Sequence, residues 1–196
     1  MKTVALAAAL SITAIPARAA IVELYRDQQP PVIFIDGTLE PKDLDGFVAK
    51  ANGLKEAVVR LKSIGGSILP AMAIGREVRQ RGYATEVREF CSSACSLIWM
   101  AGSKRYLPPG SRVGFHQPID KNRAVSINGV ALEASYLARL GLSDAVVGYA
   151  IGAPPSELRW LTVEDAQRIG LALMPSSAPV VAMSPLKQDG PTAQQH

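Results

Sequence analysis

The chain has 196 residues, 48% of them hydrophobic, which suits one globular domain with a sizeable core rather than a disordered or fibrous chain. Its formal charge is +4, from 21 Lys and Arg against 17 Asp and Glu. These charges are interspersed, with no basic run and no interleaved aromatics, so nucleic-acid binding gains no support.

The first element is not part of the fold. Lys2 supplies a short positive start, Val4 to Ile15 is almost wholly apolar, and Ala17-Arg18-Ala19 places small residues at the −3 and −1 positions. This is the pattern of a secretory signal peptide, residues 1–19, cut after Ala19. The apolar run is too short for a membrane anchor, and no cysteine at the cut invites lipidation. Trimming removes Lys2 and Arg18 and no acid, so the formal charge falls from +4 to +2. The expected location is periplasmic or secreted, an oxidising compartment in which Cys91 and Cys95 can pair.

Within a domain expected over residues 20–174, Ile21 to Tyr25 reads as a strand, and Pro30-Pro31 then breaks the chain. Val32 to Asp36 is a short apolar run, as in a buried strand. Pro41 to Ala51 carries Leu44, Phe47, Val48 and Ala51 at the spacing of one helix face. A strand over Val58 to Leu61 ends at Gly65-Gly66, and Ile68 to Arg81 makes a second amphipathic helix, stopped by Gly82. Thr85 to Phe90 is strand-like, and Ala94 to Ala101 is apolar all round, the mark of a buried helix. Lys104 to Leu107 and Arg112 to Phe115 are short strands about a Pro108-Pro109-Gly110 turn. Helices are expected over Val130 to Leu140 and Ser143 to Ile151. Thr162 caps one more, with Glu164 and Asp165 in its first turn. Residues 175–196, rich in Pro, Ser, Gln and Gly, read as a disordered tail. Strands alternating with helices predict an α/β fold with a mainly parallel sheet and flanking helices.

Between Ser63 and Pro118 the sequence reads SIGGS, CSSACSLIWMAG and LPPGSRVGFHQP. A Gly-Gly turn, serines at a strand-to-helix junction and His116, the one histidine outside the tail, are the parts of a serine-hydrolase site. Ser92, Ser93 and Ser96 all compete for the role of nucleophile, and each could instead cap the helix. Cys91 and Cys95 admit three readings: a disulfide around Ser92-Ser93-Ala94, two buried free thiols, or a metal site completed by His116.

In this order and spacing the three segments resemble the ClpP/crotonase superfamily, and in particular the proteolytic subunit of Clp proteases, over about Pro31 to Leu171. The resemblance implies a ClpP/crotonase-like fold, with Ser93 as nucleophile from its register against Ala101-Gly102. It implies His116, in HQP, as the base. Gly65, in the turn matching SPGG, and Ala94 would supply the oxyanion N–H groups. Leu158 stands where the family has its third member, an Asp, so Glu157 and Asp120 are the candidate substitutes. A Ser-Lys dyad would need Lys104 or Lys121, and neither matches. The implied function is an exported serine peptidase that needs no cofactor and no ATPase partner, cleaving short or unfolded peptides and open to assembly with further copies of itself. The alternative is a silent scaffold that binds peptides or proteins. Acyl-CoA chemistry of the crotonase kind is disfavoured, because coenzyme A is not expected outside the cytoplasm.

Overall fold

The structure, a computed structural model, describes residues 18–182. The signal-peptide segment up to residue 17 and the last part of the expected tail, residues 183–196, lie outside the described residues. The sheet begins with β1 (Ile21–Tyr25) and β3 (Val32–Asp36), separated by a two-residue strand, β2 (Gln28–Gln29). β1 and β3 run antiparallel, and Val32, Ile33 and Ile35 are fully buried. α1 (Asp43–Ala51) turns Phe47 and Ala51 inward at helical spacing.

β4 (Val58–Ser63) alternates buried and partly exposed side chains and lies parallel to β3. α2 (Ile68–Gln80) follows, then β5 (Ala84–Ser92), parallel to β4. Leu61 pairs with Val87 but Ser63 with Cys91, so β5 bulges between these pairs, where Glu89 adopts φ 68°. The bulge slides the end of β5 along its neighbour and brings Cys91 to Ser93 level with the Gly65 turn.

α3 (Ala94–Ala101) buries all eight of its side chains, Trp99 among them. Its indole N–H donates to the Tyr106 carbonyl at 3.2 Å, so the polar end of the ring is satisfied inside the core. β6 (Arg105–Tyr106) and β7 (Arg112–Phe115) both pair parallel to β5. α4 (Ile127–Arg139) and α5 (Asp144–Ile151) come next, and β8 (Arg159–Trp160) closes the far edge antiparallel to β7. α6 (Val163–Arg168) begins at Thr162, whose hydroxyl accepts from the Asp165 N–H.

Among the described residues the main sheet has seven strands in the order β1-β3-β4-β5-β7-β8, with β6 on β5. It is parallel at its centre and antiparallel at both edges, and six helices flank it. The α/β architecture is thus the one expected.

Three details differ from the sequence reading. α4 starts three residues early, because Ser126 caps it by accepting from the Gly129 N–H at 3.1 Å. β8 was not expected at all: two residues carry no periodicity, and only pairing with Gly114 and Phe115 makes them a strand. Residues 175–182, expected to open the tail, are packed on the domain. Ala178 is buried, its N–H donates to the Glu86 carboxylate at 3.0 Å, and β9 (Val181–Ala182) pairs with β2. Glu86 is itself buried and held by the Arg60 guanidinium at 3.1 Å. The segment docks because a buried carboxylate needs more than one donor, a demand invisible in the composition of the tail.

Candidate active site

β5 and β7 are neighbours, and their carboxyl ends carry Ser93 and His116. The pairing Ser92↔Gly114 sets the level, and the Ser93 N–H donates to the Gly114 carbonyl at 3.0 Å. His116 lies two residues further on. Both side chains therefore issue from the same edge of a parallel sheet, where open α/β folds place their ligands.

Ser93 sits at the sharp join of β5 and α3 with φ 55° and ψ −132°, outside the regions that a non-glycine residue ordinarily occupies. Such a backbone costs ~1–3 kcal/mol and persists only where surroundings enforce it. Two features do so here. Cys91 and Cys95 are joined in a disulfide, with Cα atoms 5.4 Å apart, that spans the turn. Gly65 presses in from the other side at φ +101°: a Cβ there would stand 2.7 Å from the Ser93 Cβ and 2.9 Å from the Ala94 nitrogen. Glycine is required at that approach. The bridge also takes two of the three donors from the Cys91–Cys95–His116 metal alternative.

The three serines are not equivalent. The Ser92 hydroxyl donates to the Ile64 carbonyl at 3.3 Å, and the Ser96 hydroxyl donates to the Ser93 carbonyl at 2.7 Å. The Ser93 hydroxyl makes no hydrogen bond among the described residues and does not cap its helix. It is partly exposed, while Ser92 and Ser96 are buried.

The backbone donors differ as well. The Gly65 N–H, one of the two expected oxyanion donors, is engaged by the Ser63 hydroxyl at 3.1 Å. The Gly66 N–H and the Ala94 N–H have no partner among the described residues. Ala94 opens the first turn of α3, where unpaired N–H groups favour negative charge.

On the base side, His116 is partly buried and its Nδ1 lies 2.7 Å from the Gln117 carbonyl oxygen. A carbonyl only accepts, so Nδ1 is the donor, and in the neutral tautomer this leaves Nε2 as the acceptor. Neither substitute acid is bonded to the ring. Asp120 is exposed and its carboxylate accepts from the Asn122 and Ala124 N–H groups at 2.8 and 3.1 Å, closing its own turn. Glu157 is exposed in the loop before β8, and its side chain makes no hydrogen bond or ion pair among the described residues.

The register of β7 with β8 ends one residue before His116: Gly114 faces Trp160 and Phe115 faces Arg159, and the Leu158 side chain packs against Gly114. β8 is fixed there by Arg112 stacked 4.5 Å from the Trp160 ring and Arg159 5.3 Å from that of Tyr149. The single proton of the Tyr149 hydroxyl is shared between two acceptors, the Trp160 carbonyl at 3.2 Å and Asp165 at 3.0 Å. Burial, followed by that bond to Asp165, pushes the Tyr149 phenol up to about 12.

No protein-family model and no curated protein sequence matches the chain. Its structure is similar to ClpP1 from Listeria monocytogenes, at 15% identity and a TM-score of 0.57, over 74% of this chain and 92% of that one. A mutant of the same ClpP1 superposes with a TM-score of 0.50 at 17% identity, over 74% and 91% of the two chains. A membrane-bound stomatin-specific protease is similar at 18% identity and a TM-score of 0.56, over 72% of this chain and 76% of that one. At such identities the likeness shows a ClpP-like fold, and function rests on the site itself.

Proposed function

We propose that the protein is an exported serine hydrolase acting on peptides, with Ser93 as nucleophile and His116 as base. The observation that carries this reading is Ser93 itself. Of three serines at the turn, it alone has an unengaged hydroxyl, and its strained backbone is held by a disulfide and a glycine against the free N–H end of α3.

In this scheme His116 Nε2 takes the proton of the Ser93 hydroxyl as its oxygen attacks a peptide carbonyl. The oxyanion is received by the Ala94 N–H and, in place of the engaged Gly65, by the Gly66 N–H. The imidazolium then gives its proton to the leaving amine, and water releases the acyl group by the same route. Through both steps Nδ1–H stays on the Gln117 carbonyl, a neutral acceptor that orients the ring but stabilises its charge less than a carboxylate does.

Export follows from the segment ending at Ala19, and with it a periplasmic or secreted location without an ATP-driven partner. Large apolar side chains left exposed beside the site, Ile64 at 54% and Ile119 at 45%, offer a surface for unfolded peptide or for a further copy of the chain.

A specific observation favours a second reading. Neither Asp120 nor Glu157 bonds the His116 ring, and Leu158 stands where the Clp-type pattern has its acid, which suits a silent peptide-binding scaffold. Fluorophosphonate labelling separates the two. Labelling of the wild type that vanishes in Ser93→Ala and persists in Ser92→Ala and Ser96→Ala supports the hydrolase. An unlabelled, well-folded wild type supports the scaffold.

A further inference from the structure

Away from Ser93, the later turns of α2 and the exposed side of α4 enclose a cavity of about 360 Å³. Its floor is apolar, from Met72, Tyr136 and Leu140, and Leu132 forms part of its rim. Three arginines border it: Arg76 and Arg79 from α2, and Arg139 from α4. None of the three forms an ion pair among the described residues, and the buried Nε of Arg79 has no hydrogen-bond partner. A buried, unpartnered guanidinium N–H is costly, and here it belongs to a side chain lining an open cavity.

The acids that could neutralise this cluster are committed elsewhere. Glu77 is taken by Arg81 at 2.9 Å, on α2 itself. Glu133, on α4, is buried, and burial pushes its carboxyl up to about 8, so it offers little counter-charge at neutral pH. Arg105 stands near enough for the charge of Arg79, behind the larger effect of burial, to help lower it to about 10. The pocket thus pairs an apolar floor with an uncompensated positive rim.

We infer that this cavity binds a small amphiphilic anion, its apolar body on Met72, Tyr136 and Leu140 and its acidic head on Arg76, Arg79 and Arg139. Planar guanidinium groups suit a carboxylate or phosphate head, which they can hold through paired N–H donors. At about 30 Å³ for each non-hydrogen group, the space admits roughly a dozen heavy atoms, the size of a medium-chain organic acid. The site is separate from the proposed chemistry, and its test reads binding alone.

The test is calorimetric titration of the full chain with decanoate at low ionic strength. The expected result is one saturable site per chain. Arg76→Gln and Arg139→Gln each weaken it at least tenfold, as loss of a charged hydrogen bond predicts, and Leu132→Gln weakens it less. Decyltrimethylammonium, with the same chain and the opposite charge, and inorganic phosphate, a head without a body, should bind at least tenfold more weakly. Decyl phosphate in place of decanoate tells which head is preferred. Arg79→Met removes the buried donor; should that variant misfold, the two exposed arginines carry the test.

Equal binding of the cationic and anionic chains would overturn the proposal, as would affinity unchanged in the arginine variants. A third contrary result is no decanoate binding together with self-association in sedimentation that Arg139→Glu abolishes, which would make this face a contact between copies.

Discussion

The two halves of the candidate site are built to different standards. The serine half is over-determined: the bulge in β5, the Cys91–Cys95 bridge, the close approach of Gly65 and the buried α3 all act on one residue, Ser93. The histidine half is held by a single bond from His116 to the neighbouring Gln117 carbonyl, beside a loop closed by Asp120. The contrast teaches that a strained serine turn and an anchored histidine are separable features of this fold. A chain can keep the first at full rigidity while holding the second with a neutral acceptor.

The largest effect should come from cutting the weaker half away. His116→Ala is expected to lower kcat/KM on a fluorogenic peptide by at least about 10²-fold: losing the base of a complete triad costs roughly 10⁶, and a site without the acid starts roughly 10⁴ lower. Asp120→Asn and Glu157→Gln should change it less than about threefold, because neither carboxylate bonds the ring. A large loss in either would restore a charged third member and erase the contrast.

Next comes α4, which spans both halves, with Gly129 against Pro118 and the Tyr136 hydroxyl donating to the Leu97 carbonyl at 3.0 Å. Between these contacts lies buried Glu133, whose carboxyl is raised to about 8 by burial. A carboxyl raised in the folded state is harmless below the unfolded value, where both states are protonated. Stability is then lost as pH rises from there toward 8, because only the unfolded chain ionises freely. Glu133→Gln should therefore match the wild type near pH 4 and be more stable by roughly 3–5 kcal/mol at pH 9. Urea unfolding at the two pH values measures this, and equal stability at both would mean that Glu133 finds a partner.

Leu158→Asp attempts to strengthen the weak half. A carboxylate at the position where the Clp-type pattern has its acid should raise the labelling rate of Ser93 by about 10–100-fold. A folded variant that labels no faster would show that a side chain at position 158 does not reach the ring.

The smallest effect concerns the strong half. The bridge closes so short a loop that reducing it should cost only about 2 kcal/mol of global stability. The labelling rate should fall by a larger factor than this implies for the fold, since the bridge spans the strained residue. Equal loss of both would make the disulfide an ordinary staple.

The same asymmetry governed what could be read from the sequence. β1, β3 and the buried α3 were legible because apolar runs and periodicity record burial directly, as in Val32 to Asp36 and Ala94 to Ala101. The ordered motifs around Ser93 and His116 marked where to look. The disulfide stayed open because Cys91 and Cys95 pair only when a strand ends between them, a matter of backbone angles. The bond to the Gln117 carbonyl and the unpaired Gly66 N–H are not legible at all: a carbonyl or an N–H is present at nearly every residue, so its use leaves no trace in side-chain type. For the same reason nothing in the letters shows that Ser63 engages the Gly65 N–H.

One measurement bears on the central claim, that Ser93 is an activated nucleophile whose base is oriented by a backbone carbonyl. The wild-type protein and its His116→Ala variant are treated with a fluorophosphonate, and the adduct is located by peptide mapping. The account predicts one adduct per chain, on Ser93, formed at a rate that collapses without His116. An adduct on Ser92 or Ser96, or one on Ser93 that forms as fast in His116→Ala as in the wild type, would contradict it.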